Sequence, residues 1–456
     1  MMESYQLVKD ERIRGSANSE LTPEVAAELG AALGTLLGEG VLVVTARDYY
    51  PPSRMLKRSF SAGLMSTGVT VVDFHAATFP ELAFAVKKFG ARAGVHFTVS
   101  SYRSHEIAIK LLDYLGIEFS HERLSNLMRL FETKHIVRTL PERIGWVTYA
   151  EYIHEIYVAS LASFLDSTLI SDRRLNIVAD LNFGPTADVA PYIFSELGVD
   201  ATTLNAHKPQ AKKGIRHLPS PIALMRLARM VRAASAEFGV AFCVDASRAV
   251  FVDDKGRIMP PDKTIALFAS FLPSGSTVVT TMTASSIVDK VAENKRLRVV
   301  RVRGYPGDVS RQARRVKAPY GGSDKGEHIF TGFSMSPDGL VALGRMMEIL
   351  AGQDRRLSTL VDELPEVPVH EETVDVPGYL SMQRALDLIA EHMAPSRLTV
   401  TGLKVIVDKC VVYLEPSLKK RVLVLSVEEP SREKIEAVRK LRDSISELFS
   451  TSVMSS

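Results

Sequence analysis

Apolar positions along the chain follow two rhythms in turn. Short runs dense in Val, Ile and Leu, the kind that fill a strand buried on both faces, alternate with longer stretches whose Leu, Val and Ala recur at helical spacing. The stretch TPEVAAELGAALGTLLGEG predicts a helix that opens on a Thr-Pro cap and closes in Gly. VLVVTARDYYP reads as a buried strand and a turn, and SRMLKRSFSAGLMSTG as a helix ending at Gly68. VTVVDFHAATFP, PELAFAVKKFGA and AGVHFTVSS continue as strand, helix and strand. Such strict alternation predicts a mostly parallel sheet wrapped by helices.

The rhythm restarts twice. RLNIVADLNFG is a strand, ADVAPYIFSELG a helix and VDATTLNAH a strand. After the helix PSPIALMRLARMVRAASAEFG, the strands VAFCV and AVFVD flank the short polar turn DASR; the second strand ends in the turn DDKG, read as solvated. STVVTTMTASSIVDKVAENKRLRVVRVRG is again strand, helix, strand. The last part differs: three strands, SRLTVTGLKVIV, CVVYLEP and RVLVLSVEE, precede the helix SREKIEAVRKLRDSISELF. The Pro- and charge-rich stretch AGQDRRLSTLVDELPEVPVHEETVDVPG reads as a linker before it. The expected fold is therefore α/β: three similar α/β domains with mixed, mostly parallel sheets and a smaller C-terminal α+β domain. Its expected boundaries are 1–165, 166–272, 273–375 and 376–456.

Composition narrows the function classes. The chain has 456 residues, 46% of them apolar, enough for several packed cores. A net charge of +3 gives no bulk attraction to nucleic acid or membrane. The basic stretches KRLRVVRVRG and RQARRVK lack the interleaved aromatics of a stacking platform. Cys243 and Cys410 stand far apart and form no ligand-spacing motif. The N-terminal MMESYQLVKDERIRG lacks the apolar core of a signal peptide, and no apolar run is long enough to span a bilayer. A soluble, cytoplasmic protein is the expectation, with neither nucleic acid nor membrane as partner.

In order along nearly the whole chain, IRGSANSELTPEVAAELGAALGTLLG, ARDYYPPSRMLKRSFSAGLMSTGVTVVDF, VVTTMTASS and DGLVALGRMMEIL resemble the α-D-phosphohexomutase family of phosphoglucomutases and phosphomannomutases. The resemblance implies four domains around a central cleft, each lending it one loop. It also implies a phosphoserine that gives its phosphoryl to a hexose 1-phosphate, a bisphosphate that reorients and returns the other phosphoryl, and a Mg²⁺ beside that serine.

Laid on the family's motifs, every cleft loop departs. Thr-Ala-Ser-His-Asn-Pro becomes TVSSYR, which places Ser100 on the nucleophile, and Lys110 matches the family's following lysine. The metal loop Asp-Gly-Asp-x-Asp-Arg becomes Cys243, Val244, Asp245, Ala246, Ser247 and Arg248, leaving Asp245 as the one carboxylate of three. Mg²⁺ is hard and sheds its water reluctantly, so a thiol, one carboxylate and a hydroxyl hold it weakly or not at all. The sugar loop Gly-Gly-Glu-x-Ser-Gly-His becomes Gly321, Gly322, Ser323, Asp324, Lys325, Gly326 and Glu327, with a backbone turn kept by the glycines and a solvated tip. Gly322, Ser323 and Lys325 remain as candidate substrate contacts. In the phosphate loop Pro416 and Ser417 stay, Glu415 replaces the family's arginine, and Lys419, Lys420 and Arg421 add charge. Ser417 and Lys419 are the candidates there. Arg14 and Gly15 survive from the N-terminal loop.

Two readings follow. One is a divergent phosphohexose mutase using Ser100, with Arg14, Lys110 and Arg248 steadying phosphoryl charge, acting on a hexose phosphate. The other is a non-catalytic member that serves as regulatory partner or scaffold, as a homo-oligomer or beside an active paralogue. On either, Mg²⁺ at the 243–247 turn is weak or absent, and turnover on glucose 1-phosphate or mannose 1-phosphate is very low or absent.

Overall fold

A computed structural model describes residues 7–9, 12–101, 103, 105–208, 216–393, 396–417 and 420–452. Four sheets succeed one another along the chain. The first has seven strands, ordered Val8–Lys9, Arg12–Ser16, Glu106–Asp113, Ala93–Val99, Leu42–Arg47, Thr70–Ala76 and Val147–Tyr149. The second runs Ala249–Asp253, Phe238–Phe242, Asn176–Asp180, Asp200–Leu204, and the third Arg298–Val302, Thr277–Thr281, Tyr320–Ser323, Glu327–Phe330. Each of these three joins parallel strands to an equivalent antiparallel hairpin: Ala93–Val99 with Glu106–Asp113, Phe238–Phe242 with Ala249–Asp253, and Tyr320–Ser323 with Glu327–Phe330. The first sheet adds a second antiparallel hairpin at its edge, Val8–Lys9 with Arg12–Ser16. The three hairpin turns carry the three loops singled out in the sequence, at equivalent places in three repeats.

Local chemistry builds the helices as the pattern requires. Thr22 caps the helix Pro23–Leu37 by accepting from Val25 N, and Gly38 ends it at φ +90°. This helix packs on Pro51–Met65 at glycine contacts: a Cβ on Gly30 would lie 2.1 Å from the Phe60 carbonyl oxygen, and one on Gly63 1.9 Å from that of Ala27. Close backbone approach there excludes any side chain.

After the strand Val147–Tyr149 the chain leaves the first sheet. The helix Ile153–Phe164 packs through Tyr157, Val158 and Leu161 into a core shared with Val189, Ile193 and Phe242, which continues into Leu343 and Met347 of the third unit. The fourth unit is an all-antiparallel sheet, Val369–Asp375, Val422–Glu428, Cys410–Pro416, Leu403–Val407 and Ser396–Leu398, covered by the helices Met382–His392 and Arg432–Ser452.

The linker reading of residues 351–378 is corrected. That stretch holds the end of the helix Gly339–Gln353, the helix Leu357–Asp362 and the edge strand Val369–Asp375, which pairs along its length with Val422–Glu428. An edge strand keeps most of its charged side chains in water, so by composition it looks like a linker. The turn after Asp253 is not a solvated tip either. Asp253 is fully buried and accepts from Lys255 N, Arg257 N and Arg257 Nε. Its carboxylate closes the turn from inside.

Candidate active site

The hairpin Ala93–Val99/Glu106–Asp113 sets out the first part of the site. Val95, Phe97, Ile107, Ile109 and Leu111 face the first unit's core. The opposite face therefore carries the polar residues, because side chains alternate along a strand. His96 stands opposite Lys110, Thr98 opposite Ala108, and Ala108 opposite Arg14 on the next strand. Ser100 follows just past the strand end, 2% exposed, its amide donating to the Glu106 carbonyl at 2.9 Å. Arg14, Lys110 and Ser100 thus share one sheet face, and Arg14 Nη1 lies 3.6 Å from Glu106 Oε2. Asp48 fixes the approach to Ser100 by accepting from Val99 N at 2.7 Å and Tyr50 N at 2.9 Å. Burial pushes its carboxyl up to about 6 against those hydrogen bonds. His105 is exposed.

The second hairpin turn seals against this face. Lys110 Nζ donates to Asp245 Oδ2 at 2.5 Å and to Ser247 Oγ at 3.3 Å, and lies 4.6 Å from the centre of the Phe79 ring. Asp245 Oδ1 accepts from Ser247 Oγ at 2.7 Å, Ser247 N at 3.1 Å and Cys243 Sγ at 3.2 Å. The amide of Phe79, the first residue of a helix, donates to the Asp245 carbonyl at 2.9 Å. Burial, the largest influence, raises the Asp245 carboxyl, but the Lys110 ammonium together with His217 and His96 outweighs it and holds the group well below the usual carboxylate range.

This donor set does not fit Mg²⁺. Both oxygens of the sole carboxylate are engaged, one of them by an ammonium. Burial, with the charge of Asp245 next, pushes the Cys243 thiol up to about 12, so it is no anionic ligand. The sequence reading missed one neighbour, His217, whose Nε2 lies 3.7 Å from Asp245 Oδ1. Ligand atoms of His217, Cys243 and Asp245 fall within 4.8 Å of one another. Nitrogen and sulfur donors favour softer ions than Mg²⁺, but Lys110 already supplies the cation. Nothing in the spacing of His217, 26 residues before Cys243, could have pointed to this proximity.

The third hairpin turn is a buried polar knot, which corrects the solvated tip. Asp324 is 1% exposed and accepts from Thr281 Oγ1 at 2.8 Å, while His328 is fully buried with its Nδ1 2.8 Å from the Tyr320 hydroxyl. Ser323 Oγ donates to Glu327 Oε2 at 2.9 Å, and Lys325 Nζ to the Gly304 carbonyl at 2.9 Å. Arg248 Nε lies 3.5 Å from Glu327 Oε1. Burial raises the Glu327 carboxyl, but Arg248 and then Lys325 bring it down to about 2. Gly321 and Gly322 do not form the turn. Both lie on the strand Tyr320–Ser323, where a Cβ on Gly322 would come 2.7 Å from Ile265 Cγ1. Only Gly326, at φ +89°, has a turn conformation that favours glycine.

The fourth unit docks over the second and third. Lys404 Nζ lies 2.9 Å from Asp262 Oδ2 and 3.2 Å from Asp324 Oδ2, and donates to the Thr283 carbonyl at 2.7 Å. Val400 joins the core of Leu224, Val250 and Val252. At the phosphate-loop position Ser417 Oγ accepts from Lys420 N at 3.2 Å. Arg421 donates to the carbonyls of Val376, Pro377 and Gly378, so it ties down a turn of its own unit. Lys419 lies outside the described residues.

A cavity of about 570 Å³ opens between the first, second and fourth units. Ser100, Arg103 and His217 line it, as do Arg229 and Arg232 of the helix Pro221–Ala233, and Thr401 and Glu415 of the fourth unit. Of the sequence candidates, the geometry brings Ser100, Arg14, Lys110, Asp245, Cys243 and Ser247 together. Arg248, Ser323 and Lys325 gather instead at the third hairpin turn. Among the described candidates Ser100 alone lines the cavity: Arg14, Lys110 and Asp245 lie behind it, and Gly322, Arg248 and Ser417 do not line it either.

Three mixed α/β repeats, a fourth antiparallel unit and a hairpin-turn serine at their cleft define an α-D-phosphohexomutase architecture. Family models agree: "Phosphoglucomutase/phosphomannomutase, alpha/beta/alpha domain I" matches residues 5–136, domain II 155–256 and domain III 260–367. The chain belongs to the phosphoglucomutase/phosphomannomutase family. It is 31% identical over 430 residues to a phosphoglucomutase/phosphomannomutase of Thermococcus kodakarensis, covering 92% of this chain and 94% of that one. It is 31% identical over 438 residues to a probable phosphoglucosamine mutase of Methanopyrus kandleri, covering 94% and 95%. A crystal structure of a phosphoglucomutase/phosphomannomutase family protein from Burkholderia thailandensis superposes with TM-score 0.75 at 22% identity, over 97% of this chain and 98% of that one. The family is Mg²⁺-dependent, which sets the Lys110-filled turn apart from the family pattern. Among the described residues no helix is long and apolar enough to cross a membrane.

Proposed function

We propose that this chain interconverts hexose 1-phosphates and hexose 6-phosphates through a phosphoryl group carried on Ser100, slowly and without a divalent metal. The observation that carries the reading is the place of Ser100: at a strand end fixed by Asp48, on the wall of the interdomain cavity. The relatives' names, phosphoglucomutase/phosphomannomutase and phosphoglucosamine mutase, set the substrate class as phosphates of glucose, mannose or glucosamine.

The 6-hydroxyl oxygen of a hexose 1-phosphate attacks the phosphorus of phosphorylated Ser100. The P–Oγ bond breaks as the new P–O bond forms, the hydroxyl proton leaves to solvent or a nearby base, and Oγ regains a proton. The bisphosphate turns end for end and returns its 1-phosphoryl to Ser100, releasing the 6-phosphate. Charge grows on the transferring oxygens and calls for fixed cations. Arg14 and Lys110, on the same sheet face as Ser100, are the groups assigned to that work. The buried Lys110–Asp245 pair stands where the family places its metal loop.

The test is intact mass after incubation with glucose 1,6-bisphosphate, alongside a coupled mutase assay with and without EDTA. One added phosphoryl group and EDTA-resistant turnover, both absent in Ser100→Ala, support the reading. If wild type shows neither, the non-catalytic scaffold reading replaces it.

A further inference from the structure

In the cavity that carries Ser100, cations are unevenly committed. Arg216 Nη2 lies 3.1 Å from Asp387 Oδ2, Arg103 Nε 3.9 Å from Glu391 Oε1, and Arg257 is paired with Asp253 and Asp362. Arg229 and Arg232 have no ion pair and no side-chain hydrogen bond among the described residues, yet both line the cavity. They belong to one stripe of the helix Pro221–Ala233, with Leu224, Met225 and Ala228 also facing the cavity. Residues spaced three and four apart share a helix face, so the stripe offers an apolar floor that ends in two guanidinium groups one turn apart.

The fourth unit offers the reverse. Where the family's phosphate loop would supply an arginine, Glu415 lines the cavity. Arg421 is engaged by the carbonyls of Pro377 and Gly378. A phosphate in this cavity is repelled at the strand end of the fourth unit and attracted at the helix of the second. Guanidinium groups bind phosphate through paired, charge-assisted hydrogen bonds. The volume falls in the range of small-molecule sites, roughly 300–1,000 Å³.

We infer that Arg229 and Arg232 hold the non-transferring phosphate of the sugar substrate, a role the family gives to its fourth-unit loop. The inference rests on the mutase reading for its substrate class, but its test does not need turnover.

Glucose 6-phosphate is titrated calorimetrically into the full chain, into Arg229→Gln, Arg232→Gln and the double variant, and into Arg226→Gln. Arg226 is exposed on the same helix and does not line the cavity. Binding that falls tenfold or more in the double variant, and stays within twofold in Arg226→Gln, is the expected result. A circular dichroism melt of each variant confirms folding, and the single variants, expected to lose about threefold each, carry the test if the double variant does not fold. Wild-type-like binding by the double variant overturns the inference, as does failure of wild type to bind glucose 6-phosphate at millimolar concentration. A larger loss in Ser417→Ala than in the double variant overturns it too and returns the role to the fourth unit. Arginine-dependent binding with no phosphoserine and no turnover leaves the subsite standing while the mutase reading falls.

Discussion

Lys110 Nζ donates to Asp245 Oδ2 across 2.5 Å, and both side chains are buried, at 3% and 0% exposure. The pair joins the first sheet to the second unit's hairpin turn, at the place where a family member would hold its metal.

Removing one partner of a buried pair strands the other charge, at a cost of about 3–5 kcal/mol. Lys110→Met is expected to lower the unfolding free energy by that order in urea. Lys110→Met with Asp245→Asn should recover most of it. The pair also sets an acid limit. Asp245 is held below its ordinary value of 3.8, so the stabilisation is complete above that value and is lost as the pH falls through the lower folded one. Equal urea midpoints for wild type and Lys110→Met would dismiss the pair as the joint.

Wild type is expected to show no Mg²⁺ binding at millimolar concentration by calorimetry, and no Mg²⁺ dependence of its melting temperature. Cys243→Asp with Ser247→Asp restores three carboxylates at the turn. That variant should melt lower than wild type in EDTA and recover several degrees in millimolar Mg²⁺, since a ligand bound only by the folded state stabilises it by mass action. Turnover should not rise above the slow wild-type rate with the metal, because the third and fourth loops stay altered. Magnesium-dependent melting of wild type would contradict the occupation of this turn by Lys110 in place of a metal.

Asp338 gives a pH signature of the opposite sign. Its carboxylate caps the helix Gly339–Gln353 and accepts from the Tyr157 hydroxyl at 2.7 Å. Burial pushes its pKa up to about 7. The folded state therefore holds this proton more tightly than the unfolded chain, and stability falls as pH rises from the ordinary value toward 7. Asp338→Asn keeps a capping oxygen and removes the titration. Its stability relative to wild type should improve between pH 5 and pH 8 in urea titrations. Asp48, raised to about 6, contributes in the same direction and leaves part of the slope in the variant. A gap between variant and wild type that is constant across this range would refute the assignment.

Lys404 anchors the fourth unit by reaching Asp262 and Asp324 across the junction. Lys404→Met leaves two buried carboxylates facing each other without a cation, at a cost on the order of 3–5 kcal/mol. The fourth unit should loosen first. Limited trypsin digestion should then release a C-terminal fragment beginning beyond Arg356, faster than from wild type. An unchanged digestion pattern would place the anchor elsewhere, in the Val400 packing.

The sequence by itself determined the repeated units and their chemistry-bearing turns. Hydrophobic rhythm marks VAFCV and AVFVD as paired strands because side-chain alternation and turn residues are local properties, and Phe238–Phe242 and Ala249–Asp253 do pair around Asp245. The one-carboxylate metal turn was legible for the same reason: Cys243, Asp245 and Ser247 are neighbours in the chain. Composition misled at Val369–Asp375 and Asp253, where charge indicated water but pairing and burial prevailed.

Only the tertiary structure decided what faces what. Lys110 meets Asp245 across 135 residues, and His217 joins them from a segment with no motif. Arg229 and Arg232 read as an ordinary polar helix face until the fourth unit closes a cavity over it. Ion pairs and cavities form between elements whose spacing is set by packing, not by sequence separation, so the identity of the cation at the metal turn could be read only from the folded molecule.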